Sequence, residues 1–466
     1  MAKMVEYKFP KKQIDEFFFN ELEKNPDGGN HLVQFQIGLM HENGIGTDKN
    51  LEKAFEFYQK AADQGFALAQ SQIGLMHENG IGTAKNLGKA FEFYQKSADQ
   101  GFARAQCNLG YMHENGIGTE KNLEKAFEFY QKSADQGYSV AQCNLGYMHE
   151  KGIGTEKNTE KALEFYQKSA DQGFARAQYN LGYMHERGIG TEKNTEKAFE
   201  FFQKAADQGF ARAQFVLGGL YENGIGTEKN TEKALEFYQK AADQGFAYAQ
   251  YNLGLMHENG IGTAKNPEKA LEFYQKAADQ GFAYAQCKLG YMHERGIGTA
   301  KNLEKALEFY QKAADKGHLD AINWLGYMHE KGIGTDKNPE KAFEFYQKAA
   351  DQGHSFAKNK IENLKKGSDE PLEDNSVNIV PIQPIAVKRP FSLGNTESSA
   401  FTPAKKQQME PQTPQYYYQI PIQQQPQPFR RKCTTMKQKM ELLQQQQMEQ
   451  QQQLAQLHQL LQQQRQ

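Results

Sequence analysis

The sequence predicts an all-α solenoid of nine helix-turn-helix repeats, followed by a disordered tail that is rich in Gln and Pro. The first observation is a fixed period, because close copies of the segment Leu109–Tyr138 recur nine times at a spacing of 36 residues. The copies contain no insertion or deletion, which is typical of units that stack only on their neighbours. The second observation is a change of composition after Lys366, where Pro and Gln take over from the repeat.

The first helix of each unit is predicted from the spacing of its apolar residues. In the third copy, Ala105, Leu109 and Met112 follow one another at i, i+4 and i+7, which indicates a helix over roughly 104–114. The segment Gly116–Thr119 then predicts a tight reversal, since glycine adopts a positive φ without a Cβ clash.

The second helix of the unit is predicted over Leu123–Asp135, between a capping residue and a glycine stop. Asn122 precedes it and has an equivalent Asn in every copy, so its side chain is expected to accept a hydrogen bond from the first turn. Pro267 and Pro339 occupy the first helical position in two copies, where proline is tolerated. Gly137 supplies the left-handed residue that ends the helix.

A glycine inside the predicted first helix indicates close packing between the two helices. Gly110 has an equivalent glycine in all nine copies, although glycine in a helix costs about 1 kcal/mol relative to Ala. Together with the small residues Ala105 and Ala126, it predicts that the paired helices approach closely.

The complete unit closely resembles the Sel-one-like repeat, a relative of the tetratricopeptide class. The shared elements in the third copy are A-x-x-x-L-G-Y-M-H at Ala105–His113, then G-I-G, then K-A-F-E-F-Y-Q-K-S-A-D-Q-G at Lys125–Gly137. The resemblance covers Phe35–Gly353. It departs from the family at His113, where Tyr is usual, and at Thr119, where Val is usual. The resemblance implies a right-handed α/α superhelix that works as an adaptor or scaffold.

The ends of the repeat array predict the domain organisation. A degenerate helix at Ile14–Lys24 is expected to cap the N-terminal end, and Glu362 replaces the packing glycine where a tenth unit would begin. Two interpretations of the last segment are open. It forms a weak coiled-coil seam that allows self-association, or it is disordered with a tendency to aggregate. The predicted segments are a capping helix at 1–30, nine repeats at 31–354, a second capping helix at 355–366, a disordered linker at 367–435 and a Gln-rich possible coiled coil at 436–466.

Composition indicates which kinds of partner and which cellular compartment to expect. The formal net charge is −2, which gives no long-range attraction to nucleic acid or anionic lipid and disfavours both as partners. The sequence has no long apolar run, so we expect a cytoplasmic protein. The basic run at 430–432 with Lys437 and Lys439 is an alternative nuclear signal or RNA contact. Cys107 and its equivalents Cys143 and Cys287 are expected to be free thiols.

No motif in the repeat predicts catalysis, a cofactor or a bound metal. The M-H-E triplet at His113 lacks the second His that a zinc site of the H-E-x-x-H type requires, so His113 is predicted to be a core residue. The glycine pair Gly116 and Gly118 follows a helix instead of a strand, unlike a phosphate-binding loop. No nucleophile motif is present either. We therefore predict that the protein is not an enzyme.

Differences between the copies predict a binding surface. They concentrate at offsets 0, 3, 7 and 11 along the first helix, which is a single helical face. In tetratricopeptide-like superhelices the first helices line the concave side, and Tyr and Arg dominate interface hot spots. We therefore predict a peptide-binding groove in copies four to eight. The alternative is that these positions are exposed and varied freely after duplication. The predicted partner-binding residues are Arg104, Tyr111, Tyr147, Arg176, Tyr179, Tyr183, Arg187, Arg212, Phe215, Tyr248, Tyr251, Tyr284, Tyr291, Arg295 and Tyr327.

The function predicted from these features is a non-catalytic scaffold or adaptor that binds a protein or peptide on the concave face. The alternative is a condensate- or RNA-associated regulator that acts through the Gln-rich tail. Loss of activity on deletion of residues 367–466 is the outcome that distinguishes the second hypothesis from the first.

Overall fold

The computed structural model describes Phe19 and residues 30–366, and over this part of the chain the fold is all-α, with nineteen helices and no strand. The first helices of the nine repeats are α1 (His31–Asn43), α3 (Ala67–Asn79), α5 (Ala103–Asn115), α7 (Ser139–Lys151), α9 (Ala175–Arg187), α11 (Ala211–Asn223), α13 (Ala247–Asn259), α15 (Ala283–Arg295) and α17 (Leu319–Lys331). The second helices are α2 (Leu51–Asp63), α4 (Leu87–Asp99), α6 (Leu123–Asp135), α8 (Thr159–Asp171), α10 (Thr195–Asp207), α12 (Thr231–Asp243), α14 (Pro267–Asp279), α16 (Leu303–Asp315) and α18 (Pro339–Asp351). A final helix, α19, follows at Ser355–Lys366.

The predicted solenoid of helix-turn-helix repeats is confirmed. The second helix of the third repeat has the predicted bounds, Leu123–Asp135, and the first helix is one residue longer at each end than predicted. Each helix packs against the helix before it and the helix after it in the chain. The described chain is therefore a linear series of hairpins.

The loop within each repeat is fixed by its two ends. In the third repeat Gly116 ends α5 with a φ of 69°, and the Ile117 amide donates to the Met112 carbonyl at 2.9 Å. Asn122 caps α6 as predicted, since its side chain accepts from the Lys125 amide at 2.8 Å. The middle glycine, Gly118, lies against the preceding repeat, because a Cβ at that residue would be 2.3 Å from the Leu87 carbonyl oxygen.

The predicted close approach of paired helices has a specific cause, which is an aromatic ring lying on the helical glycine. A Cβ on Gly110 of α5 would be 2.7 Å from the Tyr130 ring of α6. The equivalent contact is present in all nine repeats, with Phe202 replacing the tyrosine in the fifth. The glycine is therefore required because no side chain fits between the helix backbone and the ring.

The core is shared between neighbouring repeats. One buried cluster contains Cys107 from α5, Tyr130 from α6, and Leu145 and Met148 from α7. The third repeat therefore closes this part of its core only with side chains from the fourth. The same arrangement recurs along the chain, so each of these core clusters depends on the presence of a neighbouring repeat.

The ends of the array are covered by side chains outside the nine repeats. Phe19 is buried and packs with Ile37, Met40 and Phe57 near the first repeat. At the other end Ala357 and Ile361 of α19 are buried in the core of the last repeat. The remainder of the predicted N-terminal capping helix, the linker and the Gln-rich segment lie outside the described residues.

A glycine-to-alanine pair tests the ring contact. Gly110→Ala should destabilise the protein by about 1–3 kcal/mol, because the overpacking against Tyr130 exceeds the gain in helix propensity. Gly88→Ala is the matched control, since Gly88 lies exposed in α4 and its Cβ would meet only the Asn86 side chain, at 3.5 Å. Urea unfolding of both variants measures the difference. Equal stability of Gly110→Ala and the wild type would contradict the contact.

Candidate partner-binding surface

The residues predicted to bind a partner lie on one face of the first helices. Each repeat is numbered here from the first residue of its first helix, so that Ala175 is position 1 of the fifth repeat. The predicted residues then occupy positions 2, 5, 9 and 13, and this set of positions is called the variable face. Of the predicted residues, the structure buries Tyr251, exposes Arg187, Arg295 and Tyr284, and leaves the others partly buried.

Position 5 of the variable face is turned into the core. Tyr251 is fully buried, and its ring lies 5.5 Å from that of Tyr274 and 5.3 Å from that of Phe282. Tyr179 and Phe215 are partly buried and pack onto the aromatic residues of their own repeats in the same way. The rings at position 5 therefore support the surface from below, and Tyr251 has no accessible area with which to contact a partner.

The cysteines at position 5 are free thiols, as predicted. Cys107, Cys143 and Cys287 are all buried. Burial raises the pKa of the Cys143 thiol to about 11, and it also raises the pKa of the other two. These thiols therefore remain protonated at neutral pH and act as small apolar core groups.

Positions 9 and 13 form the accessible centre of the variable face. The tyrosines at position 9 are partly buried, and the arginines at position 13 are exposed. The Arg187 guanidinium lies 5.8 Å from the centre of the Tyr183 ring, and the Arg295 guanidinium lies 6.0 Å from that of Tyr291. These contacts hold the rings and cations together at the surface. The tyrosines at position 9 are Tyr111, Tyr147, Tyr183, Tyr291 and Tyr327.

Position 2 adds cations in the early repeats and aromatic rings in the later ones. Tyr284 is 39% exposed, and its ring lies 4.6 Å from His318. Tyr248 is partly buried and lies 4.7 Å from Phe282. The structure thus brings these two tyrosines into one aromatic cluster at the start of the seventh and eighth repeats. The other predicted residues at position 2, all partly buried, are Arg104, Arg176 and Arg212.

Partly buried carboxylates beside the variable face were not found by sequence reasoning. Each first helix carries a Glu at position 12, and in eight repeats this Glu accepts a hydrogen bond from a tyrosine at position 28 of the second helix. In the third repeat the Tyr130 hydroxyl donates to Glu114 at 2.7 Å. In these eight repeats the Glu and the Tyr are always 16 residues apart in the sequence. This constant spacing was the signal from which the pairing could have been predicted.

The histidine at position 11 is a core residue, as predicted. The His113 ring stacks on Phe129 with centres 5.6 Å apart and meets Phe91 of the preceding repeat edge-on at 5.4 Å. Its Nδ1 atom is buried and makes no hydrogen bond with a described residue. Tyr221 occupies the equivalent place in the sixth repeat with the same stacked arrangement, on Phe237.

Burial lowers the pKa of these stacked histidines, so they fold in the neutral form. The lowered pKa is found for His77, His113, His149, His185, His257, His293 and His329. Within the part of the chain that the structure describes, no three His, Cys, Asp or Glu side chains are grouped to hold a metal ion. Likewise, none of the helices within 30–366 is long and apolar enough to cross a membrane.

Acid should destabilise the fold through the stacked histidines. Their folded pKa lies below the unfolded value near 6.5, so the unfolded chain takes up protons first as the pH falls. Stability is therefore full above about pH 6.5 and declines below it. Tyr221 already occupies the equivalent place in the sixth repeat, so Tyr is a compatible replacement. Replacing His113, His149 and His257 by Tyr should reduce the loss of stability between pH 7 and pH 5. Urea midpoints across this range give the measurement, and an unchanged slope in the triple variant would contradict the assignment.

Nine successive segments of the chain match a single family model, that of the Sel1 repeat. The matched residues are 31–66, 67–102, 103–138, 139–174, 175–210, 211–246, 247–282, 283–318 and 319–354. Each segment contains one first helix, one second helix and the loops that follow them.

Two solved structures of bacterial proteins are similar to this chain. The chain is similar to c5321, a protective antigen of uropathogenic Escherichia coli that displays an SLR fold, with 30% sequence identity and a TM-score of 0.53 over 75% of this chain and 83% of the antigen. It is also similar to a Sel1 repeat protein from Oxalobacter formigenes, with 35% identity and a TM-score of 0.48 over 52% of this chain and 96% of that protein. No curated protein sequence matches this chain.

Proposed function

The chain belongs to the Sel1 repeat family, and we propose that it is a non-catalytic scaffold that binds a partner protein or peptide along its variable face. Sel1 repeat proteins typically mediate protein–protein interaction. The observation that carries the proposal is that, along the first helix, the differences between the copies concentrate on one helical face. The proposal takes this face to be the concave side of the solenoid.

The chemistry of the accessible positions supports a protein ligand. Tyr and Arg contribute large contact areas and directional hydrogen bonds, and they are the residues most enriched at interface hot spots. In the fifth and eighth repeats each tyrosine at position 9 is paired with an arginine at position 13. Because the rings lie on packed helices and contact their neighbours, little side-chain freedom would be lost on binding.

The burial of position 5 refines the proposed site. Partner contacts are assigned to positions 2, 9 and 13, whereas Tyr179, Phe215 and Tyr251 hold the surface in place. The accessible part is centred on Tyr183 with Arg187 and on Tyr291 with Arg295. The aromatic cluster of Tyr248 and Tyr284 extends it along the starts of two first helices.

Free variation of exposed positions after duplication is the competing explanation, and a binding experiment separates the two. A displayed library of random twelve-residue peptides would be selected on the immobilised full-length protein. Affinities of the enriched peptides would then be measured by fluorescence polarisation.

The double variant Tyr183→Ala with Tyr291→Ala should weaken the enriched peptides by about tenfold or more, since hot-spot truncation removes at least about 1–2 kcal/mol. Glu200→Ala with Glu272→Ala, on exposed positions of two second helices, is the matched control and should leave affinity unchanged. Failure to enrich any peptide, or equal affinity for the double variant and the wild type, would contradict the proposed function.

A further inference from the structure

The carboxylates at position 12 are held by two kinds of partner. The first, in eight repeats, is the tyrosine at position 28 of the same repeat, and the second, for Glu42, Glu258 and Glu330, is the residue at position 6 of the following unit. For Glu258, the Tyr274 hydroxyl donates at 2.5 Å and the Lys288 ammonium lies 3.1 and 3.2 Å from the two carboxylate oxygens. For Glu330, Lys360 of α19 takes the same place at 3.2 Å. An ammonium group therefore fits beside this carboxylate in two places along the chain.

Glu186 in the fifth repeat lacks both partners. Phe202 stands at position 28 in place of the tyrosine, and Val216 stands at position 6 of the following repeat in place of a hydrogen-bonding side chain. Among the described residues, Glu186 Oε2 is buried and has no hydrogen-bond partner. The residue as a whole is only partly buried. The residue is therefore partly accessible, while its Oε2 atom is buried without a hydrogen-bond partner.

A third substitution occurs at the same junction. Gly219 occupies position 9 of the sixth repeat, where five other repeats have a tyrosine. In the third repeat the corresponding Tyr111 lies near Glu78 of the repeat before it, and the charge of Glu78 helps to raise the pKa of Tyr111. At the Glu186 junction that tyrosine is missing, so the three side chains that could surround the carboxylate are all replaced by groups without a donor.

The surroundings of Glu186 do not offset the cost of burying its carboxylate. Phe202 and Val216 are buried in one apolar cluster that runs through the fifth and sixth repeats. The charges of Arg187 and Lys193 lower the pKa of Glu186, but burial is the larger influence and raises it. Burying a carboxylate without hydrogen bonds is unfavourable. A group of this kind is satisfied when a cation binds beside it.

We propose that the Glu186 carboxylate receives the ammonium group of a lysine side chain of the bound partner. Glu186 follows Tyr183 by three residues and precedes Arg187, so a peptide on the variable face would pass beside it. The bound ammonium would occupy the place that Lys288 and Lys360 occupy within this chain. The proposal rests on the proposed function, because the lysine arrives as part of a peptide on that face.

The test compares two peptide libraries on the immobilised full-length protein. Both contain nine residues with random flanks, and the central residue is lysine in one and norleucine, its uncharged analogue, in the other. The wild type should enrich the lysine library at least tenfold over the norleucine library. Glu186→Gln should remove this preference, because an amide offers no charge to the ammonium.

Two further variants separate recognition from folding. Val216→Lys places an internal ammonium beside Glu186, as in the eighth repeat, and should also remove the lysine preference while peptides still bind. Glu222→Gln, at a carboxylate already held by Tyr238 at 2.8 Å, is the matched control and should retain the preference. The midpoint of thermal unfolding should rise or stay constant in Glu186→Gln, because the unsatisfied charge is gone.

The outcomes distinguish this proposal from the function on which it rests. If peptides bind but lysine and norleucine are enriched equally, or if Glu186→Gln keeps the preference, the lysine site is wrong and the scaffold function stands. If neither library is enriched by the wild type, both proposals are wrong.

Discussion

The structure depends on the contact between an aromatic ring and a helical glycine, which is repeated nine times. With 2.7 Å between the Tyr130 ring and a Cβ built on Gly110, no other residue fits without displacement. The contact fixes the distance between the two helices of each hairpin. Because the same contact recurs in every repeat, the next hairpin can dock in the same way, and the shared cores between repeats follow.

The contacts that repeat in every unit leave a limited set of positions free to differ between copies. The capping Asn and the packing and loop glycines are the same in every copy, whereas positions 2, 5, 9 and 13 of the first helix differ, position 5 doing so within the core. The junction around Glu186 is the place where the contacts of the other repeats change, since Phe202 and Val216 replace polar groups that hold the carboxylate elsewhere. The proposed binding surface and the proposed lysine site would thus arise from one repeat through few substitutions.

The sequence was sufficient to predict the helices, the caps and the glycine packing, because these follow from local periodicity and from backbone conformation. The ring that lies on Gly110 and the bond between Tyr130 and Glu114 were not predicted, since they join residues on different helices. Tyr251 was predicted to contact a partner, but the structure buries it. Which positions of the variable face are buried depends on contacts with the second helix of the same repeat, such as those of Tyr251 with Tyr274, which local periodicity does not reveal.

The central claim is that each ring contact holds one hairpin and that hairpins stabilise only their neighbours. Amide hydrogen exchange on the full-length Gly146→Ala variant tests it directly, since a Cβ there would be 2.7 Å from the Tyr166 ring. Protection should fall in the third, fourth and fifth repeats and remain at the wild-type level in the eighth and ninth. Unchanged protection in the fourth repeat, or an equal loss in all nine, would contradict the account.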